Sequence, residues 1–149
     1  MNNDVLLDLR DLKTSFFTSD GVAKAVDGVS YQLHRGETLG VVGESGCGKS
    51  VTALSILRLL PYPAASHPSG AIRFKGEDLM ALPLDGLRHV RGNQISMIFQ
   101  EPMTSLNPLH TIEQQIGEVL KIHRGLSNSA AQARVLDLLD KVGIEDPKG

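Results

Sequence analysis

Apolar residues alternate with polar residues, or form short runs, in five segments of the chain, and these segments are predicted to be strands. The alternation is clearest in residues 5–17, and residues 24–33 are a second candidate. Short apolar runs at residues 37–42, 71–76 and 95–99 complete the set. Because turn-forming residues separate these segments, the first part of the chain is predicted to be rich in β-structure.

Apolar residues spaced three and four apart predict helices in four other segments. The first covers residues 51–60, and a short one covers residues 82–91. Two longer helices are predicted at residues 111–123 and 129–142. Residues 61–70 are rich in proline and are predicted to be a loop. The pattern therefore places a β-rich part first and a helical part last.

The last predicted helix also carries signals at both of its ends. The run from Ser127 to Ser129 offers an N-cap, and Gly143 provides a stop. Its apolar stripe is predicted to consist of Ala133, Leu136, Leu139 and Val142.

Composition narrows the class of protein. The 149 residues are 41% hydrophobic and 21% charged, with a net charge of −2, which indicates a globular domain and no nucleic-acid partner. The single cysteine excludes an internal disulfide framework. No apolar run approaches the roughly 20 residues of a membrane span, and the first residues do not have the positive charge of a signal peptide. No metal-site spacing is seen among the histidines, which are His34, His67, His89, His110 and His123.

The run GESGCGKS at residues 43–50 matches the phosphate-binding P-loop pattern G-x-x-x-x-G-K-[ST]. A triphosphate needs backbone N–H groups at close range, and glycines leave room for that approach. Lys49 supplies a mobile cation for the phosphates, and the Ser50 hydroxyl is a candidate Mg²⁺ ligand. The helix that follows favours an anion at its N-terminus. The predicted ATP contacts are Gly43, Glu44, Ser45, Gly46, Cys47, Gly48, Lys49, Ser50 and Val51.

About fifty residues after the P-loop, the chain reads Ile98-Phe99-Gln100 and continues as EPMTSLNP. With these two blocks the chain closely resembles the ATP-binding subunits of ABC transporters, in particular the dipeptide, oligopeptide and nickel importers. The resemblance implies an α/β fold, a P-loop NTPase with a RecA-like core and an antiparallel β subdomain. Residues 1–110 would hold the β subdomain, the P-loop and the Q-loop. Residues 111–149 would begin a helical subdomain and leave it incomplete.

The same resemblance implies roles for individual residues. Gln100 would contact Mg²⁺ and the attacking water, so that Gln100 and Lys49 are the candidate catalytic residues and Ser50 and Gln100 the candidate metal ligands. Phe17 would stack on the adenine ring, with Phe16 as the competing choice. ATP and Mg²⁺ are the implied cofactors.

The resemblance also implies partners and a location. The subunit would pair with a second ATP-binding subunit, in a homodimer or a heterodimer, beneath transmembrane permease subunits that receive solute from a binding protein. The loop at residues 100–108 and the helix at residues 111–123 would face the permease. The protein would then be peripheral, at the cytoplasmic face of the inner membrane.

Several family motifs do not occur in the printed chain. It has no LSGGQ signature and no apolar strand that ends in Asp-Glu, and the run at residues 135–140 has the period of an amphipathic helix. The chain is therefore expected to be the N-terminal part of a subunit and to be inactive alone. The alternative function is a non-catalytic or defunct nucleotide-binding fragment. A small-molecule P-loop kinase is a third possibility, but it would leave the run QEPMTSLNP unexplained.

Overall fold

The computed structural model describes residues 4–99 and 106–144. The chain divides into two compact units, Met1–Leu87 and Arg88–Gly149. The predicted boundary between residues 110 and 111 lies inside the second unit, so a separate helical subdomain stays a prediction. In chain order the elements are β1 (Val5–Thr18), β2 (Gly21–His34), α1 (Lys49–Ile56), β3 (Ala65–Ser66), β4 (Ala71–Phe74), β5 (Glu77–Asp78), α2 (Leu84–Val90), α3 (Ile112–Arg124) and α4 (Asn128–Lys141).

Strand β1 is central to an antiparallel sheet in the first unit. The strand order is β2-β1-β4-β5, and β3 also pairs with β1. Strands β1 and β2 form a long hairpin that turns between Thr18 and Gly21. Its register shifts between Leu9 and Leu12, where Asp11 has a φ of 43° and forms part of a bulge. The two longest predicted strands are thus confirmed.

One face of this sheet forms the core of the first unit. Leu7, Leu9 and Leu12 of β1 are buried, and the first two pair with Phe74 and Ile72 of β4, which are buried as well. Side chains in a strand point alternately to the two faces, so Leu7 and Leu9, two residues apart and before the bulge, share one face. The alternation in residues 5–17 is the sequence signal of this core.

The two long helices of the second unit begin and end within one residue of their predicted bounds. Thr111 caps α3 and forms a capping box with Gln114, and Ser127 caps α4. These caps satisfy amide groups that a helix N-terminus leaves without a partner in the helix. Helices α3 and α4 pack against each other across a short connection.

The predicted apolar stripe of α4 is wrong. The buried residues are Ala131 and Val135, whereas Ala133 and Val142 are exposed. Ala133 and Val142 are nine residues apart, which is about two and a half turns, so they lie on opposite sides of the helix. Residues repeated every three positions fall short of a full turn each time, so their side chains move progressively around the helix. Ala131 and Val135 are four residues apart, which is close to one full turn, so they lie on the same side.

The apolar runs at residues 37–42 and 95–99 are not strands in the structure. Val42 is 93% exposed and Ile98 is 97% exposed. A strand is defined by hydrogen bonds to a neighbour, and the described residues provide no strand beside either run. Among residues 4–99 and 106–144, the one sheet-like pairing of these two runs is an isolated bridge from Ile95 to Arg91. The apolar composition of a segment thus indicates that it could form a strand, but it does not indicate whether a neighbouring strand is present to pair with it.

Helix α1 is shorter than predicted and ends at Ile56 instead of residue 60. Leu57 caps its C-terminus and Arg58 follows with a φ of 50°, a conformation that a helix cannot continue. Its buried residues are Thr52 and Ser55, not leucines. Strands β3 and β5 were not predicted, since two residues are too few to show a period.

Candidate functional site

The P-loop leads directly into α1. Gly48 caps the helix with φ 93° and ψ 4°, and its carbonyl oxygen accepts from the backbone nitrogen of Thr52 at 2.8 Å and from its hydroxyl at 2.9 Å. The first-turn amide groups of a helix point out along its axis, where the helix dipole favours an anion. The loop and the helix N-terminus therefore have the geometry of a phosphate-binding site.

Close packing against β2 explains the glycine at position 48. A Cβ atom there would collide with the carbonyl oxygen of Ala25 and would touch Val26 at 3.5 Å. The left-handed φ is also unfavourable for any residue with a Cβ. Gly48 thus lets the start of α1 rest directly on the backbone of β2.

The side chain of Lys49 reaches back over the loop. Its Nζ donates to the carbonyl oxygens of Gly43 and Glu44, both at 2.7 Å, and lies 3.5 Å from the Sγ atom of Cys47. An ammonium group has three donors on a flexible stem, so it can exchange these carbonyls for phosphate oxygens. The structure therefore places three of the predicted contact residues around the Lys49 cation.

The remaining predicted contacts occupy the loop and the first turn of the helix. Ser45 and Gly46 form a turn in the loop, and Ser50 is exposed in the first turn, followed by a half-buried Val51. A serine hydroxyl suits Mg²⁺, which binds oxygen ligands and commonly takes one or two protein groups together with phosphates and water. The chemistry of this donor fits the implied ion. Gln100 lies outside the described residues.

The two aromatic candidates differ in exposure. Phe17 is 57% exposed and pairs with Val22 near the end of the β1–β2 hairpin. Phe16 is half-buried and pairs with both Ala23 and Ala65. The exposed ring of Phe17 is therefore the one with a face free to receive a base.

A polar cluster behind α1 was missed by the sequence patterns. The Oγ1 atom of Thr14 lies 3.1 Å from Ser55 Oγ and 3.1 Å from His67 Nδ1, and Tyr62 Oη lies 2.5 Å from His67 Nε2. Thr14 and Ser55 are fully buried. Burial also lowers the pKa of His67. The sequence feature that could have indicated this cluster is the presence of one threonine and one serine, Thr14 and Ser55, within otherwise largely apolar segments.

A second polar cluster lies on the other face of β1, away from the P-loop. Asp8 is buried and accepts from Arg10 at 2.8 Å and from Gln32 at 3.3 Å. The hydrogen bond from Arg10 holds the pKa of Asp8 below its ordinary value. A cavity of about 620 Å³ is lined in part by these three residues. Because each residue already has a partner, the cluster reads as a satisfied ion pair of the sheet.

The described residues show neither a grouped metal site nor a membrane-spanning helix. Within residues 4–99 and 106–144, no three His, Cys, Asp or Glu side chains are grouped so that they could hold a metal ion. None of the helices in these two ranges is both long and apolar enough to cross a membrane.

Residues 26–149 match the family model described as ABC transporter. A peptidoglycan transport ATP-binding protein of Agrobacterium fabrum is 58% identical over 147 residues, which are 99% of this chain and 27% of that protein. A dipeptide transport ATP-binding protein of Bacillus subtilis is 50% identical over 142 residues, 95% of this chain and 42% of that protein. The chain thus spans between about a quarter and less than half of the length of these relatives.

Solved structures show the same fold. A dimeric ATP-binding cassette in a post-hydrolysis state, bound to ADP and Pi, superposes with a TM-score of 0.79 at 23% identity, over 95% of this chain and 59% of that one. The protein cbiO1 of Clostridium perfringens, part of the ABC transporter complex cbiONQ, gives a TM-score of 0.65 at 26% identity, over 95% of this chain and 52% of that one. The predicted α/β P-loop NTPase fold is therefore confirmed.

Proposed function

The chain belongs to the ABC transporter family, and on this premise we propose that it is the nucleotide-binding part of an ATP-binding subunit that drives import of peptides or similar solutes through a membrane permease. One observation carries the proposal. The P-loop holds the Lys49 ammonium 2.7 Å from two of its own carbonyl oxygens, at the N-terminus of a helix that rests on β2. The names of the relatives favour peptides as the solute class.

In this proposal the P-loop amides and Lys49 bind the phosphates of ATP. Ser50 and Gln100 would hold Mg²⁺, and the ion would supply neutralisation of phosphate charge. Gln100 also orients the attacking water. Phosphoryl transfer needs mainly positioning and charge stabilisation, so a cradle of amides and one cation accounts for much of the required chemistry.

Titration with a fluorescent ATP analogue and Mg²⁺ tests binding. Lys49→Ala should weaken the affinity at least tenfold, because a charge-assisted hydrogen bond to phosphate contributes roughly 1.5–3 kcal/mol. Lys121→Ala is a matched control that removes a lysine from α3 instead. Equal affinities for wild type and Lys49→Ala would remove this lysine from the site.

The adenine contact is tested separately. Phe17→Ala should lower the affinity for ATP more than the affinity for inorganic triphosphate, since only ATP has a base to stack. Phe16→Ala should reduce stability instead, because the side chain of Phe16 is half-buried in the sheet, where its backbone pairs with Ala23 and Ala65. A selective loss in the Phe16 variant would reverse the assignment.

The proposed partners are the permease subunits, a second ATP-binding subunit and, indirectly, a solute-binding protein. The subunit would act peripherally at the cytoplasmic face of the inner membrane. Exposed apolar side chains on α3 and just before it support a protein contact there, with Leu109 87% exposed and Ile122 68% exposed. A cysteine at Leu109, in a Cys47→Ser background, should cross-link to cytoplasmic loops of the permease. Cross-links that form only from a cysteine at Asp20 in β1–β2 would contradict this face.

The second candidate function is nucleotide binding without turnover by this chain alone. It is favoured by the printed sequence, which has no apolar run ending in Asp-Glu to supply the carboxylate near the water. Loss of a positioned base costs about 10² to 10⁴ in rate. Purified chain should therefore release no phosphate above a Lys49→Ala control, whether or not a peptide permease is added in proteoliposomes. Turnover that depends on Lys49 would reject this candidate.

A further inference from the structure

Helix α1 is held to the sheet in an unusual way. Over Lys49–Ile56 its buried residues are Thr52 and Ser55, and both hydroxyls donate to carbonyl oxygens four residues earlier, in Gly48 and Val51. A helix usually docks through an apolar stripe. Here α1 is joined to β1 near its C-terminal end by a hydrogen bond between Ser55 and Thr14.

The direction of each hydrogen bond behind α1 follows from counting protons. Ser55 has one hydroxyl proton and donates it to the carbonyl oxygen of Val51 at 2.7 Å. In the 3.1 Å bond between Thr14 and Ser55, Thr14 must therefore be the donor. Since Thr14 also has a single proton, it must accept in its 3.1 Å bond with His67 Nδ1.

The same count fixes the tautomer of the imidazole. Nδ1 of His67 carries the proton, so Nε2 is unprotonated in the neutral ring and accepts from the Tyr62 hydroxyl at 2.5 Å. Burial lowers the pKa of His67, and the charge of Arg58 acts in the same direction, whereas a hydrogen bond from the ring to the backbone of Lys13 opposes them. Because the neutral ring has a single N–H, that hydrogen bond must share the same proton with Thr14. The neutral ring is thus the form that faces Thr14 at neutral pH.

We propose that His67 is a positioning residue for the nucleotide site. As the Nδ1–H tautomer it donates to Thr14, and the hydrogen-bond chain that runs from Tyr62 through His67, Thr14 and Ser55 holds α1 against β1. Ser55 lies six residues beyond Lys49, which is about 9 Å along a helix. A rigid helix this short transmits a shift at Ser55 to the P-loop at its other end.

This inference rests on the proposed nucleotide-binding function, but its first test does not need a nucleotide. Long-range ¹⁵N–¹H correlation spectra of the labelled chain at neutral pH distinguish a protonated Nδ1 from a protonated Nε2. We expect His67 to be protonated at Nδ1. A ring protonated at Nε2 would reverse the hydrogen-bond chain and overturn the proposal.

Two amide substitutions form a matched pair for the second test. In His67→Asn the side-chain amide nitrogen occupies the place of Nδ1 and can still donate to Thr14. In His67→Gln the amide is one carbon further out, at the place of Nε2, and cannot. Amide hydrogen exchange in α1 should be faster in His67→Gln than in His67→Asn, with the exchange of α3 and α4 unchanged in both.

Affinity for Mg-ATP should follow the same order. We expect His67→Asn to stay within about twofold of wild type and His67→Gln to bind about tenfold more weakly, the factor expected when a buried hydroxyl loses its donor. Equal affinities in the two variants, despite different exchange in α1, would overturn the role in the nucleotide site. If wild type itself binds no better than Lys49→Ala, the proposed function fails, and the tautomer and the exchange rates still decide whether His67 holds α1.

Discussion

The contact between Gly48 and Ala25 allows a prediction in which backbone strain and steric collision can be separated. Gly46 and Gly48 lie in the same loop and both have left-handed φ values, 82° and 93°. A Cβ at position 48 would collide with the carbonyl oxygen of Ala25, whereas one at position 46 would meet no atom of the described chain within 4 Å beyond its own neighbours. Because both alanine variants share the backbone strain, the difference in stability between Gly48→Ala and Gly46→Ala measures the collision.

The expected magnitudes differ accordingly. A left-handed conformation costs an alanine roughly 1–2 kcal/mol, and this applies to both variants. The collision at position 48 also forces the backbone of β2 or the start of α1 to move, at a cost of roughly 1–3 kcal/mol by analogy with overpacked cores. Gly48→Ala should thus lower the free energy of unfolding by about 2–5 kcal/mol, and Gly46→Ala by about 1–2 kcal/mol.

Urea unfolding followed by circular dichroism measures both values under the same conditions. The larger loss of stability in Gly48→Ala should lower the urea concentration at the midpoint of unfolding. The slope of the unfolding free energy against urea should not change, because the surface exposed on unfolding is nearly the same in both variants. Nucleotide affinity should fall with Gly48→Ala as well, since a shift of the helix start moves the amides of the phosphate site. Equal stability losses in the two variants would refute the claim that α1 rests on the backbone of β2.

Three further outcomes are expected. Mg-ATP should slow alkylation of Cys47, whose exposed sulfur lies in the P-loop, and equal rates with and without Mg-ATP would place it outside the nucleotide site. Thr111→Ala should lower the helicity of α3 and cost about 1 kcal/mol, because it removes the cap on Gln114, whereas Thr111→Ser should be nearly neutral in the same thermal melt. Stability should fall as the pH drops below about 6.5, since the folded state binds a proton at His67 less readily than the unfolded chain, and a second fall below about pH 4 should follow from the lowered pKa of Asp8. His67→Asn should abolish only the first of these two falls in urea midpoint, and its persistence would assign it to another group.

The elements that could be predicted from the sequence are those whose signals are local. Helices α3 and α4 were located within one residue because the spacing of their apolar residues is local, and for α4 the cap at Ser127 lies within three residues of the amide that it satisfies. The β1–β2 hairpin was located because its alternation and its turn are also short-range features. The P-loop belongs to the same class, since its glycines, lysine and serine act within eight consecutive residues.

Only the tertiary structure decided the features that depend on contacts between distant segments. The runs at residues 37–42 and 95–99 have the composition of strands, but a strand also needs a neighbour, and sequence period does not identify one. The role inferred for His67 depends on Thr14 and Ser55, which are 53 and 12 residues away along the chain and meet the ring only after β1 and α1 pack. The difference in exposure between Phe16, which is half-buried and pairs with β3, and Phe17, which is exposed, likewise depends on the fold, since two-residue strands show no period in the sequence. Caps, turns and the P-loop depend on neighbouring residues and can therefore be predicted from the sequence. The burial of a side chain, the pairing of a strand and the tautomer of a histidine depend on residues that only the folded chain brings beside it.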